Sequence, residues 1–215
     1  MDPLSAVIFI VILLFSIIIH ELAHGYAALS LGDRTAQMAG RLTLNPIPHI
    51  DPLGSVILPG IMVLSGSPFL FGWAKPVPYN PYNLSNQRWG EAFVAVAGSA
   101  VNLLIALFFG FLLRFAPELG LTSTAFTQLA SSIVLLNLLL AFFNMIPFPP
   151  LDGSKVLAAF LPYPLWQKYM NFMAQVERFG AFALIGFLLL FIYVLSGPFQ
   201  QLLLFVFRLI TGTSV

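Results

Sequence analysis

The sequence contains few charged residues. Nine Lys and Arg and eight Asp and Glu side chains make up 8% of its 215 positions, whereas 59% are apolar and the mean hydropathy is +0.94. A typical soluble domain has roughly 25% charged residues, and so few charges cannot cover the surface of a 23.6 kDa soluble globule. The composition therefore excludes a soluble enzyme, a nucleic-acid-binding protein and a disordered regulator. It indicates a protein embedded in a lipid bilayer.

Cysteine is absent, and histidine occurs only three times. Without cysteine there is no disulfide framework and no thiolate ligand, so a metal site must be built from histidine and carboxylate side chains. Three histidines are too few for the di-iron centres of membrane desaturases and hydroxylases. Any chemistry must therefore depend on a small set of ionisable residues.

Apolar runs take up most of the chain. A helix that crosses a bilayer needs about 20 mainly apolar residues. The candidate runs are 4–31, 52–66, 90–115, 126–146 and 179–210. The second run is short, and the last is broken at Ser196-Gly197-Pro198, so it forms either one helix plus a half-helix or a hairpin. We predict an all-α, polytopic membrane protein with about five to six transmembrane segments, and a single membrane-embedded domain over 1–215.

Lys and Arg residues concentrate in two polar stretches, 32–89 and 152–178. Segments rich in these residues stay on the cytoplasmic side of a membrane. We therefore expect both stretches in the cytoplasm, and the N-terminus and the 116–125 link outside. Because 32–89 begins and ends on one side, its apolar run must return, which predicts a re-entrant, partly extended element after the first helix.

The first apolar run contains His20-Glu21-Leu22-Ala23-His24. Residues four apart share one face of a helix, so both imidazoles can bind a single Zn²⁺ ion. The intervening Glu21 is close enough to take a proton from a water at the metal. The alternative is a buried histidine pair with a structural role. Ionisable groups within a hydrocarbon span are costly and usually functional, which favours the metal site.

A catalytic zinc site requires a third protein ligand. The candidates are five acidic residues and one further histidine: Asp33, Asp51, Glu91, Asp152, Glu177 and His49. Asp152 follows the run 126–146, whose end is expected on the same side as His20 and His24. The stretch 49–51 shares that side, but Pro48 and Pro52 on either side of it are more typical of a loop turn. The sequence therefore favours Asp152, although an isolated Asp-Gly pair often marks only a turn.

With these motifs the chain resembles the site-2 protease family of intramembrane zinc metalloproteases. The H-E-x-x-H stands at 20–24, and the family's Asn-x-x-Pro leading into Leu-Asp-Gly matches 144–153. The stretch 71–78, Phe-Gly-Trp-Ala-Lys-Pro-Val-Pro, is similar to a loop of the small bacterial and archaeal branch without PDZ or CBS domains. The chain departs from the family at 98–102, where Gly-Pro-x-x-Asn reads Gly-Ser-Ala-Val-Asn.

The resemblance implies that His20, His24 and Asp152 hold one Zn²⁺ per chain and that Glu21 is the general base. It also implies a regulatory substrate, namely a transmembrane protein or peptide that another protease has already cut.

Two asparagines are candidates for substrate binding. Asn144 stands where the run 126–146 meets several prolines, and its amide is suited to hold the scissile carbonyl or the oxyanion. The alternative role is a helix cap. Asn102 lies in the middle of the run 90–115, where it either binds the substrate backbone or forms a hydrogen bond between helices.

The sequence thus predicts a zinc metalloendopeptidase that hydrolyses peptide bonds within or near transmembrane segments, with its active site toward the cytoplasm. An α-helix hides its carbonyls, so we expect the region 52–80 to pair with an unwound, extended substrate. One alternative is a membrane metal-ion transporter or metal-binding protein, which would need ionisable residues repeated along several helices. Another is a catalytically inactive family member that only binds membrane segments.

Overall fold

The computed structural model describes residues 3–64 and 74–212. The chain divides into two compact units, Met1–Gly90 and Glu91–Val215. The described residues contain helices and no strand, which confirms the predicted all-α class.

The first unit begins with the long apolar helix α1, Pro3–Ser30. The chain leaves the helix at Gly32, whose φ of +103° is a conformation that residues with a side chain rarely adopt. A short helix, α2 (Thr35–Met38), and a 3-10 turn, Ile47–His49, follow. These short elements keep the polar stretch after α1 compact.

The short apolar run is helical where it is described. It starts as a π-helical turn, Pro52–Ile57, and continues as α3, Leu58–Leu64. Residues 74–80 are extended without regular secondary structure, and a 3-10 turn, Pro81–Asn83, follows them. The remainder of the predicted re-entrant element, 65–73, lies outside the described residues.

The second unit contains six helices among its described residues. The boundary between the units falls inside the first of them, and a π-helical turn, Phe191–Leu195, joins the last two. The helices are α4 (Gln87–Arg114), α5 (Thr124–Asn144), α6 (Asp152–Phe160), α7 (Tyr163–Arg178), α8 (Ala181–Leu190) and α9 (Ser196–Thr211).

The core of the second unit lies between α4, α5 and α9. Its buried members are Ala106, Leu113, Ala130, Val134, Leu138, Phe207 and Ile210. Gly110 permits the close approach of α9, since a Cβ atom at this position would lie 2.2 Å from Ile210 Cγ2. Arg114 Nη1 donates a hydrogen bond to Leu209 O at 2.9 Å. The carboxyl ends of α4 and α9 are therefore side by side.

Four helical stretches are long and apolar enough to cross a membrane: Val7–Ser30, Gln87–Arg114, Thr124–Asn144 and Phe182–Thr211. The shorter apolar helix Pro52–Met62 corresponds to the predicted short run 52–66. The last span runs through Ser196-Gly197-Pro198 as a helix, and the π-helical turn Phe191–Leu195 lies directly before these residues. Large apolar side chains on these helices are exposed, for example Phe182 (82%). The chain is therefore a multi-pass membrane protein.

Candidate metal centre

The two histidines of the H-E-x-x-H motif lie on one face of α1, as their spacing predicts. Both are buried, with 6% of His20 and 8% of His24 exposed. Their Nε2 atoms are 3.0 Å apart, and the rings are perpendicular with centroids 4.5 Å apart. Zinc–imidazole bonds are about 2.0–2.1 Å long, so two nitrogens this close can both bind one ion.

Glu21 projects from the same helix and is fixed by a backbone amide. The N–H of Val77 donates to Glu21 Oε2 at 2.8 Å. Val77 belongs to the extended stretch 74–80, which therefore runs close to α1 at this point. Gly25, one turn further along α1, leaves room for it, because a Cβ there would lie 2.9 Å from Val77 Cγ1.

Asp152 is the first residue of α6 in the second unit, and it is 8% exposed. Its neighbour Gly153 packs against backbone, since a Cβ at this position would lie 2.1 Å from Met145 O. The Asp-Gly pair thus marks a tight approach between the chain after α5 and the start of α6. Lys155 Nζ lies 3.7 Å from Asp152 Oδ1, on the next turn of the same helix.

His20, His24 and Asp152 form a group of buried candidate metal ligands. Each offers one ligand atom, and these atoms all lie within 4.8 Å of one another. Two imidazoles and one carboxylate are a known ligand set of catalytic zinc sites, in which a fourth position stays open for water or substrate. The residues present therefore fit a zinc ion.

The other candidates for the third ligand have different roles or lie outside this group. His49 is completely buried, and its Nε2 is 2.9 Å from Thr43 O, which makes it a structural histidine of its loop. Asp51 Oδ1 accepts hydrogen bonds from Leu53 N–H and Gly54 N–H and so caps the π-helical turn. Among the described residues, neither Glu91 nor Glu177 belongs to a three-ligand group.

Asp33 lies just after α1 and holds the end of the extended stretch and the turn that follows it. Its carboxylate accepts hydrogen bonds from Thr35, from Asn80 N–H at 2.7 Å and from Asn83 Nδ2 at 2.9 Å. Burial alone would raise the pKa of this carboxyl. These hydrogen bonds to the ionised form outweigh the desolvation and lower the pKa below its ordinary value.

The two asparagines have different surroundings. Asn144 is the last residue of α5, and its Nδ2 donates to Leu140 O at 3.0 Å. Asn102 is completely buried, and neither of its amide atoms has a hydrogen-bond partner among the described residues.

The contacts that hold Glu21 were not predicted from the sequence. Val77 lies between Pro76 and Pro78, so it carries the only backbone N–H of these three residues, a signal that was available in the sequence. Arg41 is 8% exposed, and its Nη2 donates to the carbonyls of Lys75 and Pro76. An arginine in a polar stretch is usually solvated, and nothing in its spacing indicates this burial.

Comparison with known proteins agrees with the site. The profile described as "Peptidase family M50" matches residues 8–133 and 120–190. The chain is 39% identical over 201 residues to "Putative zinc metalloprotease YwhC" of Bacillus subtilis, covering 91% of this chain and 85% of that protein.

Two further relatives carry the name "Putative zinc metalloprotease Rip2". The protein of Mycolicibacterium smegmatis is 31% identical, with 72% of this chain and 59% of that protein covered. The protein of Mycobacterium tuberculosis H37Rv is 30% identical, with 94% and 73% covered. No solved structure gave a significant match. The chain therefore belongs to peptidase family M50, the intramembrane zinc metalloproteases.

Proposed function

We propose that His20, His24 and Asp152 hold one Zn²⁺ ion and that Glu21 is the general base for hydrolysis of peptide bonds within or near transmembrane segments. The main support is the buried three-ligand group, with Glu21 between its two histidines on a helix that is long enough to cross a membrane. When bound, the metal supplies Lewis acidity, which polarises the scissile carbonyl and lowers the pKa of a water molecule.

Glu21 carries the proton transfer in this mechanism. It accepts a proton as the water oxygen attacks the carbonyl carbon, and it delivers that proton to the amine as the carbon–nitrogen bond breaks. The Val77 N–H binds Oε2, so Oε1 is the oxygen that we assign to the proton transfer. A hydrogen bond to one oxygen also limits rotation of the carboxylate, so the base is oriented before the substrate binds.

The substrate in this proposal is a transmembrane protein or peptide that another protease has already cut. Its scissile segment must be unwound, because the carbonyls of an α-helix are hydrogen-bonded. Pairing with the region 52–80 would hold it extended. In the extended stretch Pro78 lacks an N–H, so at this position the protein can only accept a hydrogen bond from the substrate. The Pro76 carbonyl is already bound by Arg41.

The two asparagines are included as substrate contacts. One N–H of Asn144 is used within α5, and the amide has a second N–H that can donate to the substrate carbonyl or the oxyanion. Asn102 is fully buried with both amide atoms unpaired by the described chain. For Asn102 to contact a substrate, the parts of the chain that cover it must therefore move apart.

Glu21→Gln tests the mechanism, because glutamine keeps the size of glutamate but cannot accept the proton. Purified protein should retain wild-type zinc and cleave a synthetic transmembrane peptide at least about a hundredfold more slowly. Glu118→Gln, at an exposed position of the 116–125 link, is the matched control and should cleave at the wild-type rate. Full activity of Glu21→Gln would refute the mechanism, and loss of zinc would identify Glu21 as a ligand.

A further inference from the structure

A backbone segment of the first unit holds Glu21 in place. We name residues 75–80 the strap. Its third residue, Val77, donates the 2.8 Å hydrogen bond to Glu21 Oε2. The position of this carboxylate therefore depends on what keeps the strap against α1.

Both ends of the strap are anchored within the same unit. At the first end, Lys75 N–H donates to His49 O at 2.9 Å. At the other end, Asn80 N–H donates to the Asp33 carboxylate at 2.7 Å. These bonds fix where the strap begins and ends, but they do not orient the peptide group that touches Glu21.

Arg41 binds this peptide group. Its Nη2 donates to Lys75 O at 2.8 Å and to Pro76 O at 3.2 Å. The carbonyl of Pro76 and the N–H of Val77 belong to one planar peptide group, in which they point in opposite directions. Arg41 and Glu21 therefore bind the two sides of the same peptide plane.

This arrangement has two physical consequences. A planar group held at its carbonyl cannot rotate its N–H away from Glu21 without breaking the bond to Arg41. A cation on the carbonyl oxygen also polarises the amide and strengthens the hydrogen bond that its N–H donates. Arg41 as a whole residue is only 8% exposed, so water screens this effect only weakly.

We infer that Arg41 is a positioning residue for Glu21, acting through the Pro76–Val77 peptide group. The inference rests on the proposed role of Glu21 as the general base. Loss of Arg41 should misorient the base and slow the chemical step. Zinc ligation uses other groups and should change little. Substrate binding should also change little, because the strap keeps both of its end anchors without Arg41.

The test compares Arg41→Met with Arg34→Met in purified, zinc-loaded protein that cleaves a synthetic transmembrane peptide. Arg34 lies in the same polar stretch but is exposed, so its replacement should leave kcat and KM at wild-type values. Arg41→Met should lower kcat by about 10- to 100-fold, the range expected when a catalytic group is displaced slightly. KM and zinc content should stay within about twofold of wild type.

A second comparison separates positioning of Glu21 from a general structural role. In the Glu21→Gln background the base is already absent, so Arg41→Met should lower the residual rate by no more than about twofold. An equal loss in both backgrounds would overturn the inference, and so would an unchanged kcat for Arg41→Met.

If Arg41→Met does not retain zinc, Arg41→Lys provides a second test. Lysine keeps the charge but lacks the planar fork, so kcat should fall between those of wild type and Glu21→Gln, again only when Glu21 is present. A wild-type kcat for Arg41→Lys would then overturn the inference. Full activity of Glu21→Gln would instead refute the proposed base, and the role of Arg41 with it.

Discussion

At the scale of single residues, the Asp-Gly pair shows how one glycine can set the position of a candidate ligand. A Cβ on Gly153 would lie 2.1 Å from Met145 O and 2.7 Å from Ile146 O, and both contacts are to backbone. Backbone cannot move aside as the end of a flexible side chain can. Any larger residue at this position therefore displaces the start of α6, where Asp152 stands.

We expect Gly153→Ala to weaken zinc retention by about 10- to 100-fold, the usual loss when the support of a metal ligand is disturbed. Gly186→Ala is the matched control, because a Cβ on this helical glycine would meet nothing within 4 Å. Zinc content after dialysis against a graded series of chelator concentrations measures the effect. Equal retention in both variants would show that Asp152 does not depend on this close approach.

The choice of Asp152 as third ligand can be tested against Asp51. Asp152→Ala should abolish zinc binding and cleavage. Asp51→Ala removes a cap from the π-helical turn, which should lower stability by about 0.5–2 kcal/mol and leave zinc in place. Zinc analysis and thermal unfolding of both purified variants provide the measurement. Loss of the metal from Asp51→Ala alone would mean that the wrong carboxylate was chosen.

At the scale of elements, the stretch between α1 and α4 is organised by buried polar side chains. Arg41 holds the first half of the strap, and Asp33 holds its last residue and the turn beyond it. Such charged groups are stable in a buried position only because hydrogen bonds satisfy them. The geometry around Glu21 therefore depends on residues that are not ligands.

The lowered pKa of Asp33 predicts a pH-dependent stability. A carboxyl whose pKa is lower in the folded state stabilises the fold above its unfolded pKa, near 3.8 here, and loses this contribution as the pH falls through the folded pKa. The wild-type unfolding temperature in detergent should therefore drop more steeply than that of Asp33→Asn between about pH 6 and about pH 3. Glu118→Gln should follow the wild-type curve. Parallel curves for Asp33→Asn and wild type would contradict the role of Asp33.

Hydropathy predicted the long helices well and the short elements poorly. The expected runs 90–115 and 126–146 correspond to α4 and α5 within a few residues, because an unbroken apolar stretch in a bilayer can satisfy its backbone only as a helix. The H-E-x-x-H spacing likewise predicted the histidine pair, since helical periodicity is local. An extended segment was predicted here, but the bonds of the strap to Glu21 and to Arg41 were not. They join residues 56 and 34 positions apart, and no local pattern encodes such contacts.

At the scale of the whole molecule, the basic residues suggest an orientation in the membrane. Seven of the nine lie in the stretches 32–89 and 152–178: Arg34, Arg41, Lys75, Arg88, Lys155, Lys168 and Arg178. The other two, Arg114 and Arg208, stand in the last turns of α4 and α9, whose carboxyl ends are side by side. With the N-terminus outside, four spans place the carboxyl ends of both α4 and α9 on the outer side, which agrees with this pairing. We propose that the basic stretches, and the candidate zinc ligands near them, face the cytoplasm.

Cysteine labelling in intact cells tests this orientation, and the absence of native cysteine provides a clean background. Thr122, in the link before α5, and Gln167, on α7, are both exposed, so accessibility to solvent does not distinguish them. A membrane-impermeant maleimide should label Thr122→Cys in intact cells, whereas Gln167→Cys should react only after the membrane is permeabilised. The prediction follows from the lipid surface charge, which retains Lys- and Arg-rich segments on the cytoplasmic side. The reverse labelling pattern would place the basic stretches outside. The water for hydrolysis would then have to reach Glu21 from the opposite face of the membrane.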